Sequence, residues 1–311
     1  RRHGVCGDER DMSSCTLPLL TPAGSERMPD FDGGWIERSG LRAPFLSYTH
    51  AELEVNWSEE LEQLHEESSR DHFIDRYTRS SVLAALGELS PDATVADIGC
   101  SSGYLLHDLE HRLPSAMLIG VDMIASGLRK AHALVPRARL LRADACDLPI
   151  ESAVLDAVVS VNLLEHIPDD RRALGEIRRV LAPGGVGVLV VPTGASTYDY
   201  YDRFLGHERR YRRGEMAAKA RDAGLRVDGD FHLGSLLYPP FWLVKQRNRA
   251  RFGTLAGESL QQRVAWDIAH TKNSPLGAWT CAAERRLRGL GVNLPFGIRG
   301  LTVLRRPQAS S

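Results

Sequence analysis

The chain has 311 residues, 43% hydrophobic and 25% charged, a composition that excludes low-complexity, collagen-like and coiled-coil architectures and suits one large α/β domain with additions. No apolar run reaches the roughly 18 residues that a membrane-spanning helix needs, and Cys6, Cys15, Cys100, Cys146 and Cys281 are too scattered for a disulfide framework or a zinc ribbon, so a reducing, cytoplasmic setting is expected. The net charge of −1 is unevenly spread: residues 1–202 carry 19 basic and 32 acidic side chains, a net −13, and residues 203–311 carry 20 and 8, a net +12. A basic C-terminal third either attracts anionic substrates or surfaces or balances the acidic part.

Residues 1–30 are rich in Gly, Pro, Ser and charge without a period, which predicts a disordered extension with no secretory signal. Residues 31–90 read as an N-terminal helical segment. Glu52 to Glu67 is acidic and amphipathic, and Val82, Leu83, Leu86 and Leu89 recur at helical spacing. Pro91-Asp92 stops this run. Strands at Thr94–Ile98, Met117–Val121, Arg139–Arg142, Val154–Val161 and Val186–Val191 then alternate with helices at Ser101–Arg112, Ile124–Leu134 and Asp169–Leu181. Short apolar runs alternating with helices predict a parallel sheet covered on both faces, here spanning 91–233. A helix at Gly214–Gly224 and a strand at Leu225–Leu233 follow. Then come a mostly helical insert over 234–296 and a last strand and tail over 297–311, with the final two strands expected as an antiparallel edge.

The sharpest local feature is Asp97-Ile98-Gly99-Cys100-Ser101-Ser102-Gly103, a strand end, a glycine turn and a helix start. Gly99 and Gly103 let a ligand approach the backbone, and the helix N-terminus favours electronegative groups. The spacing G-x-x-x-G is not a dinucleotide fingerprint. Asp97 inside the strand end suits an ammonium group better than a pyrophosphate. Asp122 ends the next strand, where an acid reads ribose hydroxyls in nucleotide-binding sheets. Asp144 ends the third, placed for an adenine amino group, and Asn162 follows the fourth, ahead of Glu165-His166. Four successive strand ends thus bring polar groups to one rim.

These residues resemble class I S-adenosylmethionine-dependent methyltransferases. Asp97 to Gly103 is similar to that family's first motif, Asp122 to its ribose-binding acid and Asp144-Ala145 to its adenine-contacting pair. The block from Leu155-Asp156-Ala157-Val158 through Leu164-Glu165-His166-Ile167 to Leu181-Ala182-Pro183-Gly184-Gly185 resembles the subgroup of ubiquinone/menaquinone and natural-product methyltransferases, as does Gly206-His207-Glu208-Arg209-Arg210-Tyr211. The resemblance covers roughly 70–232. It implies a Rossmann-like, seven-stranded, mostly parallel sheet with an antiparallel edge strand and helices on both faces, and S-adenosyl-L-methionine as cofactor. Asp97, Gly99, Cys100, Gly103, Asp122, Met123, Asp144, Ala145 and Asn162 would contact that cofactor. Ser101-Ser102 stands where the family often has Gly or Thr. Arg76 or Arg79 is a candidate partner for the cofactor carboxylate.

Displacement at a sulfonium needs chiefly positioning and desolvation, with a general base only where the acceptor holds its proton. Candidate bases are His166, His207, Tyr200 and Tyr198; no metal triad is evident, so no metal is expected. The expected acceptor is a small molecule, hydrophobic or anionic, such as a natural product, quinone or lipid. In the insert, Leu236 to Val244 is apolar and aromatic and is followed by Lys245, Arg247, Arg249 and Arg251. Three readings compete for this segment: an interfacial or lipid-substrate surface over 233–251, a lid over the acceptor, or a cap packed on the core. No nucleic-acid module accompanies the Arg-rich runs. Alternatives are non-methyl chemistry with the same cofactor, or a cofactor-binding regulatory protein. More remote is an α/β-hydrolase with Ser101 as nucleophile, since Gly99 to Gly103 also spells G-x-S-x-G.

Overall fold

The computed structural model describes residues 18–23, 25–37, 39–49, 71–271 and 274–308. The helix expected over Glu52 to Glu67, Cys6 and Cys15, and the last residues of the tail lie outside them. The strands are β1 (Trp35–Ile36), β2 (Arg42–Ala43), β3 (Leu46–Ser47), β4 (Thr94–Ile98), β5 (Met117–Asp122), β6 (Arg139–Arg142), β7 (Leu155–Val161), β8 (Leu181–Pro192), β9 (Arg226–Leu233) and β10 (Arg299–Arg305). The helices are α1 (Phe73–Leu86), α2 (Tyr104–Arg112), α3 (Ala125–Leu134), α4 (Asp170–Val180), α5 (Tyr200–Phe204), α6 (Glu215–Asp222), α7 (Tyr238–Phe252), α8 (Gly257–Thr271) and α9 (Pro275–Gly289).

An eight-stranded sheet runs in the order β3-β6-β5-β4-β7-β8-β10-β9. Its neighbours are parallel from β3 to β8, whereas β10 is antiparallel to both β8 and β9. Successive residues of each strand feed opposite faces. Leu118 joins one apolar cluster with Val82, Leu106 and Leu128, and Ile119 joins the other with Ile98, Leu174 and Ile177. The helices follow from the same logic: in α4, Ala173, Leu174, Ile177 and Val180 make one buried stripe, and Asp169 caps its start by accepting the Arg172 N–H at 3.1 Å.

Three features differ from the sequence-based expectation. The sheet has eight strands, because β3 adds two residues beside β6; the last two strands pair antiparallel at the other edge as expected, with β9 outermost. β10 fills the slot between β8 and β9 with Leu301 and Leu304 fully buried, while β9, whose Arg226, Asp228 and Asp230 alternate outward, takes the edge. Residues 35–47, inside the segment read as helical, form β1 to β3, and Trp35 anchors them by donating Nε1–H to the Leu140 carbonyl at 3.0 Å. Part of the stretch read as disordered is docked: Leu19 is buried and bridges Ile150, and the Leu20 N–H donates to the Pro149 carbonyl.

A buried carboxylate ties α9 and the start of the insert to the core. Glu284 of α9 is buried and accepts from the backbone N–H groups of Gly234 at 2.9 Å and Leu236 at 3.1 Å and from the Tyr77 hydroxyl of α1 at 3.1 Å. This places α7 and α8 over the C-terminal ends of the parallel strands.

Candidate functional site

β4 leaves the sheet through three left-handed residues in quick succession, Gly99 (φ 83°), Ser101 (φ 46°) and Gly103 (φ 81°). A Cβ at Gly99 would lie 2.9 Å from the Leu163 Cβ, so this turn requires glycine twice over. The turn is pinned by the next strand end: the Asp122 carboxylate accepts the Ser101 N–H at 2.8 Å and the Ile124 N–H at 2.9 Å. A carboxylate oxygen can accept more than one hydrogen bond. Asp144 accepts the Cys146 N–H at 2.8 Å through one oxygen. Arg142 fixes the Met123 carbonyl at 3.0 Å. Asn162, a second non-glycine residue in the left-handed region (φ 53°), turns the chain at the end of β7.

These strand ends open into a cavity of about 1160 Å³, larger than the ~300–1,000 Å³ typical of one small ligand. Asp97, Gly99, Cys100, Asp122, Met123, Asp144, Ala145 and Asn162 line one end. Gly103 does not line it; a Cβ there would meet Ala131 at 2.8 Å, so this glycine lets α2 pack against α3. Arg79 lines the cavity with its guanidinium on Asp108 at 2.7 Å, whereas Arg76 does not line it.

Asp97 supplies the test of what fits here. It is 2% exposed, and burial first and the Asp122 charge second push its carboxyl up to about 8. No protein donor reaches it among the described residues. A buried acid facing a cavity without a donor suits a cationic group such as an α-ammonium, which would restore its charge. With Asp122 for vicinal hydroxyls and Asp144 for an exocyclic amine, the donor set fits S-adenosylmethionine.

The other end is built from side chains far apart in sequence. His207 holds Asp202 through Nδ1 at 2.9 Å, and Arg210 donates Nε–H to the same carboxylate at 2.6 Å. Lys245 of α7 is buried, with Nζ on Asp199 at 2.6 Å and near Asp202 at 3.6 Å. Burial alone would raise the Asp202 carboxyl, but the His207 bond and the Arg210 and Lys245 charges outweigh it and hold the group well below the carboxylate range. Burial lowers His207, more than Asp202 raises it, which keeps the ring neutral at pH 7. The His166 and His207 rings meet edge to face, with centroids 4.7 Å apart. Beside them Glu165 is fully buried, with neither carboxylate oxygen hydrogen-bonded, and desolvation pushes it up to about 8.

His166, His207 and Tyr200 all line the cavity. Tyr200 makes a poor base: burial and a hydrogen bond to Asp267 push its hydroxyl up to about 12. Tyr198 stands outside the lining and donates its hydroxyl to the His207 carbonyl at 2.7 Å. Sequence reasoning missed Glu165, Asp199, Asp202 and the burial of Lys245. Glu165 lies in a quoted motif, but nothing in the sequence marks it as unpartnered, and Lys245 reads as the first of a solvated basic run. It also assembled no metal set, yet Glu165, His166 and His207 place one ligating atom each within 4.8 Å of one another, a two-histidine, one-carboxylate set of the kind that can hold a divalent cation.

Residues 96–189 match the family model described as "Methyltransferase domain". The chain is 39% identical over 114 residues to the demethylmenaquinone methyltransferase of Thermus thermophilus, covering 35% of this chain and 51% of that protein. It is 34% identical over 121 residues to the trans-aconitate 2-methyltransferase of Azoarcus sp., covering 39% and 47%. The chain thus spans about half the length of the curated relatives it matches. By structure it is similar to a chain from the complex between the Haloferax volcanii Trm112 methyltransferase activator and a methyltransferase, with a TM-score of 0.54 at 21% identity over 80% of this chain and 94% of that one, which supports the fold. Residues 96–189 are therefore a methyltransferase domain, similar in sequence to those of small-molecule methyltransferases.

Proposed function

We propose that the protein transfers a methyl group from S-adenosylmethionine to a small-molecule acceptor with an apolar body and one ionisable oxygen, nitrogen or carbon. One observation carries this reading. A single cavity joins the unpartnered Asp97 and the ribose-reading Asp122 to a second chamber holding Glu165, His166 and His207. The cofactor, when bound, supplies an electrophilic methyl group on a positively charged sulfur. Asp97 and Asp122 hold it by charge and by hydroxyl contacts, and Met123, Asp144 and Ala145 border its base.

Phe73, Ile74, Tyr201, Leu205, Phe241 and Trp266 give the second chamber an apolar wall. Its proton chemistry rests on His207, whose Nδ1–H donated to Asp202 leaves Nε2 as acceptor. Asp202 stabilises the imidazolium that forms, and the adjacent Glu165, kept protonated at neutral pH by desolvation, is a buried acid. The relatives named for demethylmenaquinone and trans-aconitate match over 35% and 39% of this chain, and the chamber draws on α1, α7 and α8, so we take the acceptor to follow from this chain's own helices.

The test is incubation of the purified chain with methyl-labelled cofactor and fractionated small-molecule extract. Label is expected in an apolar fraction with wild type and to fall by about 10²–10⁴ with His207→Ala. Label transferred equally by both proteins, or a cofactor consumed without label transfer, would contradict the reading.

A further inference from the structure

The insert carries exposed apolar surface. Trp242, Leu243 and Val244 on α7, Trp266 on α8, and Leu276 and Trp279 on α9 are between 43% and 71% exposed. Val244 and Trp266 also line the cavity and so stand at the rim of the acceptor chamber. Trp242 and Leu243 are exposed beside Val244 on α7, and Leu276 and Trp279 are exposed on α9, whose Gly277 packs on the ring of Phe73, a lining residue.

The rim is basic. Residues 234–296 hold nine Lys/Arg against three Asp/Glu, a net +6. Arg247 and Arg251 are exposed one helical turn apart on α7, and neither pairs with a carboxylate among the described residues. Arg263 lies over the Trp266 ring at 4.5 Å and the Phe252 ring at 4.6 Å. Tryptophans beside arginines with almost no acid suit the boundary between headgroups and acyl chains of an anionic bilayer. A protein partner matching this rim would need an acidic border as well as an apolar centre, and a second copy would bring a second net +6 against the first. No described helix is long and apolar enough to cross a membrane, so the contact is peripheral.

We infer that the rim of the acceptor chamber docks on an anionic lipid surface and that the acceptor enters the chamber from that surface. The docking stands on the rim alone; the entry of an acceptor rests on the methyl-transfer reading.

The experiment is co-sedimentation of the full chain with vesicles of phosphatidylcholine and phosphatidylglycerol in equal parts, and with pure phosphatidylcholine. Tryptophan emission and S-adenosylhomocysteine calorimetry are read on the same preparations. Wild type is expected to bind the anionic vesicles at least about tenfold more tightly, with a blue shift of emission. Leu243→Glu with Trp279→Glu should lose about tenfold or more of that binding, and Arg247→Glu with Arg251→Glu should remove the preference for anionic lipid. Both variants should keep wild-type affinity for S-adenosylhomocysteine. Absence of wild-type binding to anionic vesicles, or variants that bind as wild type does, would overturn the docking. So would a wild-type dimer by light scattering that Leu243→Glu with Trp279→Glu splits, because a second copy would then cover the rim. Loss of S-adenosylhomocysteine binding in wild type would instead sink the methyl-transfer reading.

Discussion

The two ends of the cavity are built on different principles. The cofactor end is backbone and strand geometry: left-handed turns at Gly99 and Asn162, and carboxylates at Asp122 and Asp144 that each fix a neighbouring N–H. The acceptor end is a buried charge cluster, with His207, Arg210 and Lys245 gathered around Asp199 and Asp202 from α5, the loop after it and α7. The first kind of site is local in sequence and tolerant of what surrounds it. The second exists only once distant helices have docked, and removing one member leaves its partners charged and buried.

If the ends are separable, substitutions should divide between binding and turnover. His207→Ala is expected to give the largest effect, a fall of about 10²–10⁴ in methyl transfer with S-adenosylhomocysteine affinity unchanged; parallel losses in both would merge the two ends into one. Asp202→Ala should destabilise the fold by about 3–5 kcal/mol in denaturant titration, because Arg210 and Lys245 lose their shared counter-ion. A wild-type denaturation midpoint would show that the cluster carries no such strain.

The pH dependence sharpens the comparison. Asp97, with an ordinary value of 3.8, sits at about 8 in the free protein, so the folded state holds the extra proton between these values and its stability falls as pH rises from about 4 to 8. A cation docking on Asp97 expels that proton. Calorimetry at pH 6.5 in buffers of different ionisation enthalpy should therefore report proton release on cofactor binding, and Asp97→Asn should abolish it. Tyr200→Phe is expected to have the smallest effect, less than about tenfold on turnover, since its hydroxyl is tied to Asp267 and stays protonated at neutral pH. A loss comparable with that of His207→Ala would restore Tyr200 as the base.

This contrast also explains what was readable. The β4 turn, Asp122, Asp144 and the β-α alternation are each encoded within a few residues, and the cavity end they form could be assembled from sequence. Gly103 reads as a ligand contact because a glycine motif does not say whether the close neighbour is a cofactor or Ala131. The position of β10 was half legible: Leu301, Val303 and Leu304, broken only by Thr302, against the alternating Arg226, Asp228 and Asp230 of β9 mark the interior strand. Glu165 and Lys245 were not legible at all, because burial and pairing come from α7 and the loop after α5 folding over them. Nor does local pattern reveal Glu284, which reaches across more than 200 residues to Tyr77 and ties the insert down.

The most direct test of the central claim, that the strand-end carboxylates converge on one sulfonium nucleoside, is calorimetry with S-adenosylmethionine and S-adenosylhomocysteine on wild type and Asp122→Ala. Both ligands should bind wild type at one site, and the variant should lose about 100-fold or more as two charge-assisted hydroxyl contacts go. A wild type that binds neither ligand, or an Asp122→Ala variant that binds both as wild type does, would contradict it.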